Sequence, residues 1–233
     1  MRLAADLHIH TCISPCADMT MTPNNVVNMA YLKGLDAIAV SDHNTAGNLL
    51  ACKAVAQQRG LVFVPALEVE TAEEVHVLCY FAEVEQALEM GELVYAHLPP
   101  IENVPGVFGE QIAMNELDEP IRTETKLLIQ STTMSIDEVV AACRRLGGVP
   151  VPAHVNRPSN SIIASLGFIP GQLELTAVEV YRKLPADMNA LEGYHVLYSS
   201  DAHYLEDILE RESFITALDR SAAGILAHIA DKK

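Results

Sequence analysis

Histidine and carboxylate side chains stand where several apolar segments of this 233-residue sequence begin or end. His8 and His10 are two residues apart, and so are Asp201 and His203. In an extended strand this spacing places both side chains of a pair on one face. Further side chains of these types, beside other apolar segments or in the loop after the first one, are Asp18, His43, Glu68, His76 and His154.

Imidazole and carboxylate groups together are typical ligands of Zn, Mn and Fe ions. One tetrahedral ion needs only four ligands, so this larger set predicts two or three divalent ions. Clustered ions activate water and hold both the attacking and the leaving oxygen of a phosphoryl group. Without metal, so many polar groups would be costly to bury together. The residues therefore predict a metal-dependent hydrolase rather than a structural histidine network.

Short apolar segments alternate with capped helical segments, which predicts a largely parallel α/β sheet. Thr22 precedes Pro23 at one predicted helix start, and Ser135 with Glu138 forms a capping box at another. The carboxyl ends of parallel strands open on one face, where a barrel carries its active site. We expect a single domain over residues 1–233. The predicted strands are residues 3–9, 36–41, 61–69, 75–81, 148–153, 177–181 and 196–200.

The segment 82–134 departs from this alternation. It is acidic, contains Pro99-Pro100 and Pro105-Gly106, and shows no clear strand pattern. Long insertions of this kind are often active-site lids. We expect a helical excursion from the barrel that acts as a lid over the site.

Composition limits the partners and the location. A net charge of −16 repels nucleic acid and anionic membranes, although bound metal ions would reverse the sign locally for a phosphorylated substrate. Five scattered cysteines without a CxxC pair indicate reduced thiols. No apolar segment is long enough for a signal peptide or a membrane span. We therefore expect a cytoplasmic protein with a small phosphorylated substrate, no long nucleic acid and no membrane as partner; the oligomeric state stays open.

The order of these motifs resembles the PHP superfamily, named for polymerase and histidinol phosphatase. The resemblance covers residues 6–203 and implies a distorted seven-stranded (β/α) barrel, similar to a TIM barrel, with up to three metal ions. The motifs that carry it are Asp6-Leu-His-Ile-His10-Thr11, Ser41-Asp-His43-Asn, Glu68 with Glu74-Val-His76, Ala153-His154 and Ser200-Asp-Ala-His203.

The resemblance also implies one ligand set for each ion. The sets are His8, His10, Glu68 and Asp201; Glu68, His76 and His154; and Asp18, His43 and His203. Asp18 lies in a loop that is longer than the compact version common in the family. Glu70, two residues from Glu68, is the alternative for the shared carboxylate.

Members of the superfamily hydrolyse phosphomonoesters such as histidinol phosphate, nucleoside bisphosphates or oligonucleotide ends. By this resemblance we expect hydrolysis of a phosphomonoester of a small metabolite or nucleotide by metal-activated water. Arg157 is predicted to clamp phosphate, Asp42 to transfer a proton, and Asp6 to orient a histidine ligand. The alternatives are an exonuclease acting on short oligonucleotide ends, a non-catalytic metal-bound scaffold and an amidohydrolase. The histidines without an expected catalytic role are His97, His195 and His228.

Overall fold

The computed structural model describes residues 1–232. The strands are β1 (Arg2–Ile9), β2 (Ala37–Val40), β3 (Val62–Glu70), β4 (His76–Tyr80), β5 (Ile112–Met114), β6 (Pro120–Thr123), β7 (Val149–Pro152), β8 (Ala177–Tyr181), β9 (His195–Ser199) and β10 (Phe214–Thr216). The α-helices are α1 (Pro23–Leu32), α2 (Leu49–Arg59), α3 (Val84–Ala96), α4 (Pro105–Phe108), α5 (Ile136–Arg145), α6 (Ile162–Leu166) and α7 (Ala222–Ala230).

Six strands form one sheet in the order β10-β1-β2-β3-β4-β7. The neighbours β1, β2 and β3 are parallel, as the sequence predicts. By contrast, β4 runs antiparallel to both β3 and β7, because only a short turn separates the end of β3 from the start of β4. The start of β4 therefore lies beside the carboxyl ends of β1, β2 and β3.

The α/β class is confirmed, whereas a continuous seven-stranded barrel is not formed. Strands β8 and β9 make a separate parallel pair. The first residues of β1 pair antiparallel with β10, which takes the edge that a barrel would use. Beyond that point, two hydrogen bonds of Ala202 join the segment after β9 to the end of β1, and one hydrogen bond of Val155 joins the segment after β7 to β8. The result is a curved, partial barrel with two breaks in its ladder.

Two apolar clusters stabilise this sheet from opposite sides. Burial of aliphatic side chains supplies most of the driving force, at about 25 cal/mol for each Å² removed from water. One cluster packs strand residues such as Ile38 and Val40 against α1, α2, α3 and α5. The other packs Leu3 and Leu7 against α7, in the company of Tyr80, whose hydroxyl donates to the carbonyl of Leu7. The sheet is thus covered on both faces, which leaves its carboxyl edge for the polar residues.

The helices begin where the capping residues predict. The Thr22 hydroxyl accepts from the Asn25 amide at the start of α1, and Ser135 and Glu138 form the expected capping box at α5. No helix in residues 1–232 combines the length and the apolar composition that a membrane crossing requires. The cytoplasmic location stays a prediction.

The excursion 82–134 contains α3 and α4 as expected, and it also contains the hairpin β5–β6, which the sequence does not reveal. The hairpin packs on the loop after β1 and on the start of α2: the Ile112 amide donates to the carbonyl of Cys12, and the Met114 amide donates to the side chain of Asn48. The Asn44 side chain donates to two carbonyls near the end of the excursion. The predicted lid role stays a prediction.

Candidate metal centre

Six strands, or the loops that follow them, bring polar side chains to one pocket at the carboxyl edge of the sheet. His8 lies near the end of β1, and His10 directly follows this strand. Glu68 lies near the end of β3. His76 is the first residue of β4, and it reaches the same edge because β4 runs in the opposite direction. The remaining members come from the loops after β2, β7 and β9, and they are His43, His154, Asp201 and His203.

Glu68 lies at the middle of this group. Its Oε1 atom is 3.0 Å from His76 Nδ1, 3.1 Å from His154 Nε2 and 3.4 Å from His8 Nε2. Its Oε2 atom is 3.0 Å from His43 Nδ1 and 3.5 Å from His10 Nε2. One buried carboxylate therefore contacts five imidazoles, and it can bridge two ions. Glu70 lies at the rim instead, with its carboxylate bonded to the Ser131 hydroxyl.

Asp201 is the second carboxylate of the pocket. Its Oδ1 atom lies 3.1 Å from His10 Nε2 and 3.3 Å from His8 Nε2. Its Oδ2 atom lies 2.7 Å from Arg157, whose guanidinium also stacks on Tyr181 at 4.2 Å from the ring centre. Arg157 is partly exposed and borders the pocket, and its role as a phosphate clamp stays a prediction.

The donor atoms in the pocket face one another in a way that fits divalent cations. His8 Nε2 and His10 Nε2 are 3.1 Å apart, and His76 Nδ1 and His154 Nε2 are 3.2 Å apart. Glu68 Oε2 is buried beside His43 and His10, but neither contact has the geometry of a hydrogen bond. Buried polar groups are normally satisfied, and converging lone pairs of this kind suit a bound cation. Three groups have ligand atoms within 4.8 Å of one another: His8, His10 and Asp201; His43, Glu68 and His76; and His10, His43 and His203.

Burial and the neighbouring charges both shift the pKa values of the groups in the pocket. Burial alone would raise the pKa of Glu68, but the neighbouring imidazolium groups lower it well below its usual range. Burial would lower the pKa of His8, yet Asp201 and Glu68 raise it well above 6.5. In contrast, burial and the nearby His203 and His43 lower the pKa of His10. The metal-free pocket therefore holds protons that a cation would displace.

Two predicted site residues do not join the pocket. The carboxylate of Asp18 turns outward and accepts from the amide and the hydroxyl of Thr20, so the implied ligand role of Asp18 is corrected. Asp42 is buried, but its oxygens accept from the Thr11 amide, the Thr11 hydroxyl and the Ser14 hydroxyl. These bonds occupy the carboxylate and fix the loop after β1, so in this geometry Asp42 does not face the pocket; its role in proton transfer stays a prediction.

Asp6, which was expected to orient a histidine, contacts backbone amides instead, and Glu179 contacts a histidine of the pocket. Asp6 accepts from the amides of Ser200 and Leu209, so it holds the chain after β9 and does not orient a histidine. Glu179 on β8 is the residue that does: its Oε1 atom lies 3.2 Å from His8 Nδ1, and its Oε2 atom accepts from the His154 amide. A glutamate in an otherwise aliphatic strand is the sequence signal for this role.

Cys16 is a second residue that the sequence reasoning leaves out. Its thiol has His43 and His203 as charged neighbours. Desolvation of the sulfur raises the pKa of this thiol, but the two histidines lower it by more, to a net value of about 6. The other four cysteines are buried away from solvent, whereas Cys16 is exposed.

The backbone around the pocket adopts uncommon conformations. His154 has φ of 29° and Asp201 has φ of 51°, both in the left-handed region that residues with a Cβ rarely occupy. Asn44 is also left-handed, at φ of 51°, and its side chain is anchored by hydrogen bonds on three sides. Such conformations cluster at functional sites, where they aim a side chain that regular strand geometry would not.

No family model matches the chain. An uncharacterized protein of Methanocaldococcus jannaschii is 32% identical over 79 residues, which are 30% of this chain and 46% of that protein. The chain therefore spans less than half of this curated relative.

Solved structures resemble nearly the whole chain. The lesion-specific endonuclease PfuEndoQ from Pyrococcus furiosus is 19% identical with a TM-score of 0.66, over 98% of this chain and 56% of that one. A protein from Bifidobacterium adolescentis, assigned as a metal-dependent phosphoesterase, is 20% identical with a TM-score of 0.61, over 97% and 96% of the two chains. A two-domain protein from Bacteroides vulgatus, with a predicted PHP-like metal-dependent phosphoesterase, is 15% identical with a TM-score of 0.59, over 98% and 62%.

The chain therefore shares its fold with proteins described as metal-dependent phosphoesterases. The resemblance to the PHP superfamily that the sequence motifs carry is confirmed at the level of the fold. The neighbours are hydrolases by name, in agreement with the predicted enzyme class.

The expectation that long nucleic acid is excluded as a partner is wrong. A second structure of Endonuclease Q, with a TM-score of 0.66 to this chain over 57% of its own length, holds a 27-mer duplex with an abasic lesion at the active site. This fold therefore accommodates duplex DNA. Net charge alone was a poor guide because a sum over the chain ignores where the charges lie.

Proposed function

We propose that the chain is a metal-dependent phosphoesterase that hydrolyses a phosphomonoester of a small metabolite or nucleotide. The observation that carries the proposal is the position of Glu68, a buried carboxylate within 3.5 Å of five imidazoles. Divalent ions bound in this pocket would supply an activated water and neutralise the charge of a phosphoryl group. The proposed ligands are His8, His10, His43, Glu68, His76, His154, Asp201 and His203.

Other tasks in the proposed reaction fall to named side chains: holding negative charge, orienting a histidine and binding phosphate. Glu68 and Asp201 hold the two sides of the pocket and keep their negative charge, because the surrounding histidines lower the pKa of both carboxyls. Glu179 fixes the orientation of His8, so that Nε2 of the ring faces the pocket. Arg157 lies at the rim, where its guanidinium can leave Asp201 and bind two oxygens of an incoming phosphate.

A second candidate function is cleavage of DNA or of oligonucleotide ends. The resemblance to Endonuclease Q supports it, since that protein holds duplex DNA at its active site. The chain spans little more than half of the Endonuclease Q chain, so any DNA surface outside the shared fold would have to come from elsewhere.

The test begins with protein freed of metal by a chelator and then reloaded separately with Zn, Mn or Fe. Hydrolysis is measured on p-nitrophenyl phosphate, a nucleoside 3′,5′-bisphosphate, a short single-stranded oligonucleotide and a duplex with one abasic site. We expect metal-dependent release of phosphate from one of the first two substrates. Selective cleavage of the duplex or the oligonucleotide would favour the second candidate. Binding of two or more metal equivalents without any hydrolysis would contradict both and favour a metal-bound scaffold.

A further inference from the structure

A cavity of about 470 Å³ lies beside the metal centre, between the loop after β7 and the segment 182–191. Small-molecule sites typically enclose about 300–1,000 Å³, so the cavity can hold the organic part of a metabolite. Its walls are mostly apolar and include Val155, Ile163, Ala186 and Leu191. The last three also belong to, or pack on, the apolar cluster beside α1, α2, α3 and α5, so the core holds these walls in place.

The cavity shares a wall with the metal centre. Arg157 lines the cavity, and its Nη1 atom lies 2.7 Å from Asp201 Oδ2 in the pocket. The Arg157 amide donates to the carbonyl of His154, and the His76 amide donates to the carbonyl of Asn160. The loop that forms this wall is therefore fixed to two proposed metal ligands. A molecule whose phosphate meets Arg157 at the rim can place its remaining part in the cavity.

The polar side chains of the cavity favour an uncharged occupant. The Asn156 side chain donates to the carbonyl of Tyr181 and accepts from the amide of the same residue. Asp187 adds a negative charge, and one of its oxygens accepts from the Asn189 amide. Among the described residues that line the cavity, Arg157 is the one cation, and its guanidinium lies over the Tyr181 ring. A second anionic group on a ligand would therefore meet Asp187 without a cation of its own.

We propose that this cavity binds the alcohol part of the substrate, and that this part is an uncharged apolar chain or ring. The inference rests on the proposed function and narrows its substrate class to monoesters with one phosphate group on an apolar alcohol. Each methylene group removed from water in the cavity adds to affinity, whereas a buried sugar or second phosphate would lack partners.

Binding of ethyl-, butyl- and hexylphosphonic acid to the metal-loaded protein tests the cavity without any need for hydrolysis. These probes carry the same phosphonate group and differ only in chain length. We expect isothermal titration calorimetry to show an affinity that rises about fourfold for each added methylene until the cavity is filled. The heat capacity change of binding should become more negative along the series, because more apolar surface is buried. Equal affinity for the ethyl and hexyl probes would overturn the inference.

Two variants locate the bound chain. Ala164 on α6 and Ala190 on the facing segment are exposed and line the cavity, so Ala164→Phe and Ala190→Phe should each fill part of it. Either change should remove most of the gain in affinity from ethyl to hexyl. Ala227→Phe is the matched control, because Ala227 is equally exposed on α7 and does not line the cavity. The control should keep the full gain, and circular dichroism checks the fold of all three variants.

The outcomes separate this inference from the proposed function. A gain with chain length that persists in both cavity variants would place the chain elsewhere and contradict the inference. If the gain is present but no phosphoester is hydrolysed, the inference stands and the proposed function fails. Hydrolysis of p-nitrophenyl phosphate without any gain along the series would have the reverse meaning.

Discussion

The two ends of the sheet place histidines in different surroundings. At the carboxyl edge, imidazoles meet carboxylates and one another at 3.0 to 3.5 Å, and most of them are buried. At the opposite edge, His195 lies 3.0 Å from the carbonyl of Asp231, and its ring is 4.8 Å from that of His228. His97, at the end of α3, likewise meets a carbonyl, that of Leu93, at 2.9 Å.

This comparison shows what distinguishes a metal centre from ordinary histidines. A partly exposed imidazole satisfies one nitrogen on a carbonyl and leaves the other to water, so it needs no cation. Buried imidazoles whose lone pairs point at carboxylates and at other imidazoles have no such solution. The variants described next test whether the buried histidines at the carboxyl edge differ in function from the partly exposed ones, and by how much.

The largest effect is expected from Glu68→Gln, which keeps the shape of the side chain and removes its charge. Since Glu68 contacts five imidazoles, kcat/KM for the phosphomonoester should fall by at least about 100-fold, beyond the range typical of residues that support a ligand. Metal content, measured by elemental analysis, should fall as well. Glu70→Gln is the matched control, and a loss below about tenfold is expected there. Equal losses in the two variants would show that Glu68 has no special position.

Glu179→Gln should have the next largest effect, through the orientation of His8. The metal affinity should fall about 10–100-fold, as is usual when the partner of a histidine ligand is changed. Competition with a chelator of known affinity measures this change, and circular dichroism checks the fold. Glu192→Gln alters an exposed glutamate and serves as the control. Unchanged affinity in Glu179→Gln would mean that His8 is held by packing alone.

The pH dependence of stability should differ in sign between the metal-free and the loaded protein. Asp201 and Glu68 raise the pKa of His8 against the effect of burial, and Cys16 and Glu68 do the same for His43. A raised folded-state pKa stabilises the fold fully below the unfolded value of 6.5, and this contribution is lost as pH rises through the folded value. His10, whose pKa is lowered by burial, acts in the opposite sense below pH 6.5.

The metal-free protein should therefore lose several degrees of Tm as the pH is raised above 6.5, at about 2–4 °C for each kcal/mol. The loaded protein should gain stability over the same range, because protons no longer compete for its nitrogen ligands. Thermal unfolding followed by circular dichroism at several pH values measures both. Parallel curves for the two forms would contradict the prediction.

The smallest effect is expected at the opposite edge. His195→Gln and His228→Gln should each change the free energy of unfolding by no more than about 0.5 kcal/mol, because neither side chain is buried among charges. Hydrolysis should stay within about twofold of the unmodified protein, as for surface substitutions remote from the site. A large loss in either variant would erase the contrast between the two edges.

Much of the fold follows from the sequence, because apolar segments of sufficient length define β1 to β4 and β7 to β9. The strands β5, β6 and β10 have only three or four residues each, so a pattern of alternation cannot be recognised in them. Pairing of β10 with β1 is also a long-range choice, which no local pattern encodes. A closed barrel was expected because the sequence does not show that β10 pairs with the edge of β1.

The site was predictable where a strand end sets the position of a side chain. His8, His10, Glu68 and His154 are such cases, and the structure brings them together. Asp18 is different, because a carboxylate in a turn is easily captured by the amide two residues further along, here that of Thr20.

The positions of Glu179 and Cys16 beside the pocket could not be predicted from the sequence, for related reasons. Glu179 alternates with Val178 and Val180 in a pattern that also fits a strand with one wet face, although its side chain is buried. Cys16 lies in a loop, where spacing gives no direction to a side chain. Both positions depend on contacts with residues distant in the chain, His8 for Glu179 and His203 for the loop that carries Cys16.

The left-handed backbone at His154 and Asp201 has a consequence for the handling of the protein. Each such conformation costs about 1–3 kcal/mol, and contacts made by the side chain must offset that cost. If the pocket binds ions as proposed, a chelator would remove part of that compensation from these two loops. Purification in chelating buffer should therefore expose the amides next to these two residues to fast hydrogen exchange while the central strands stay protected.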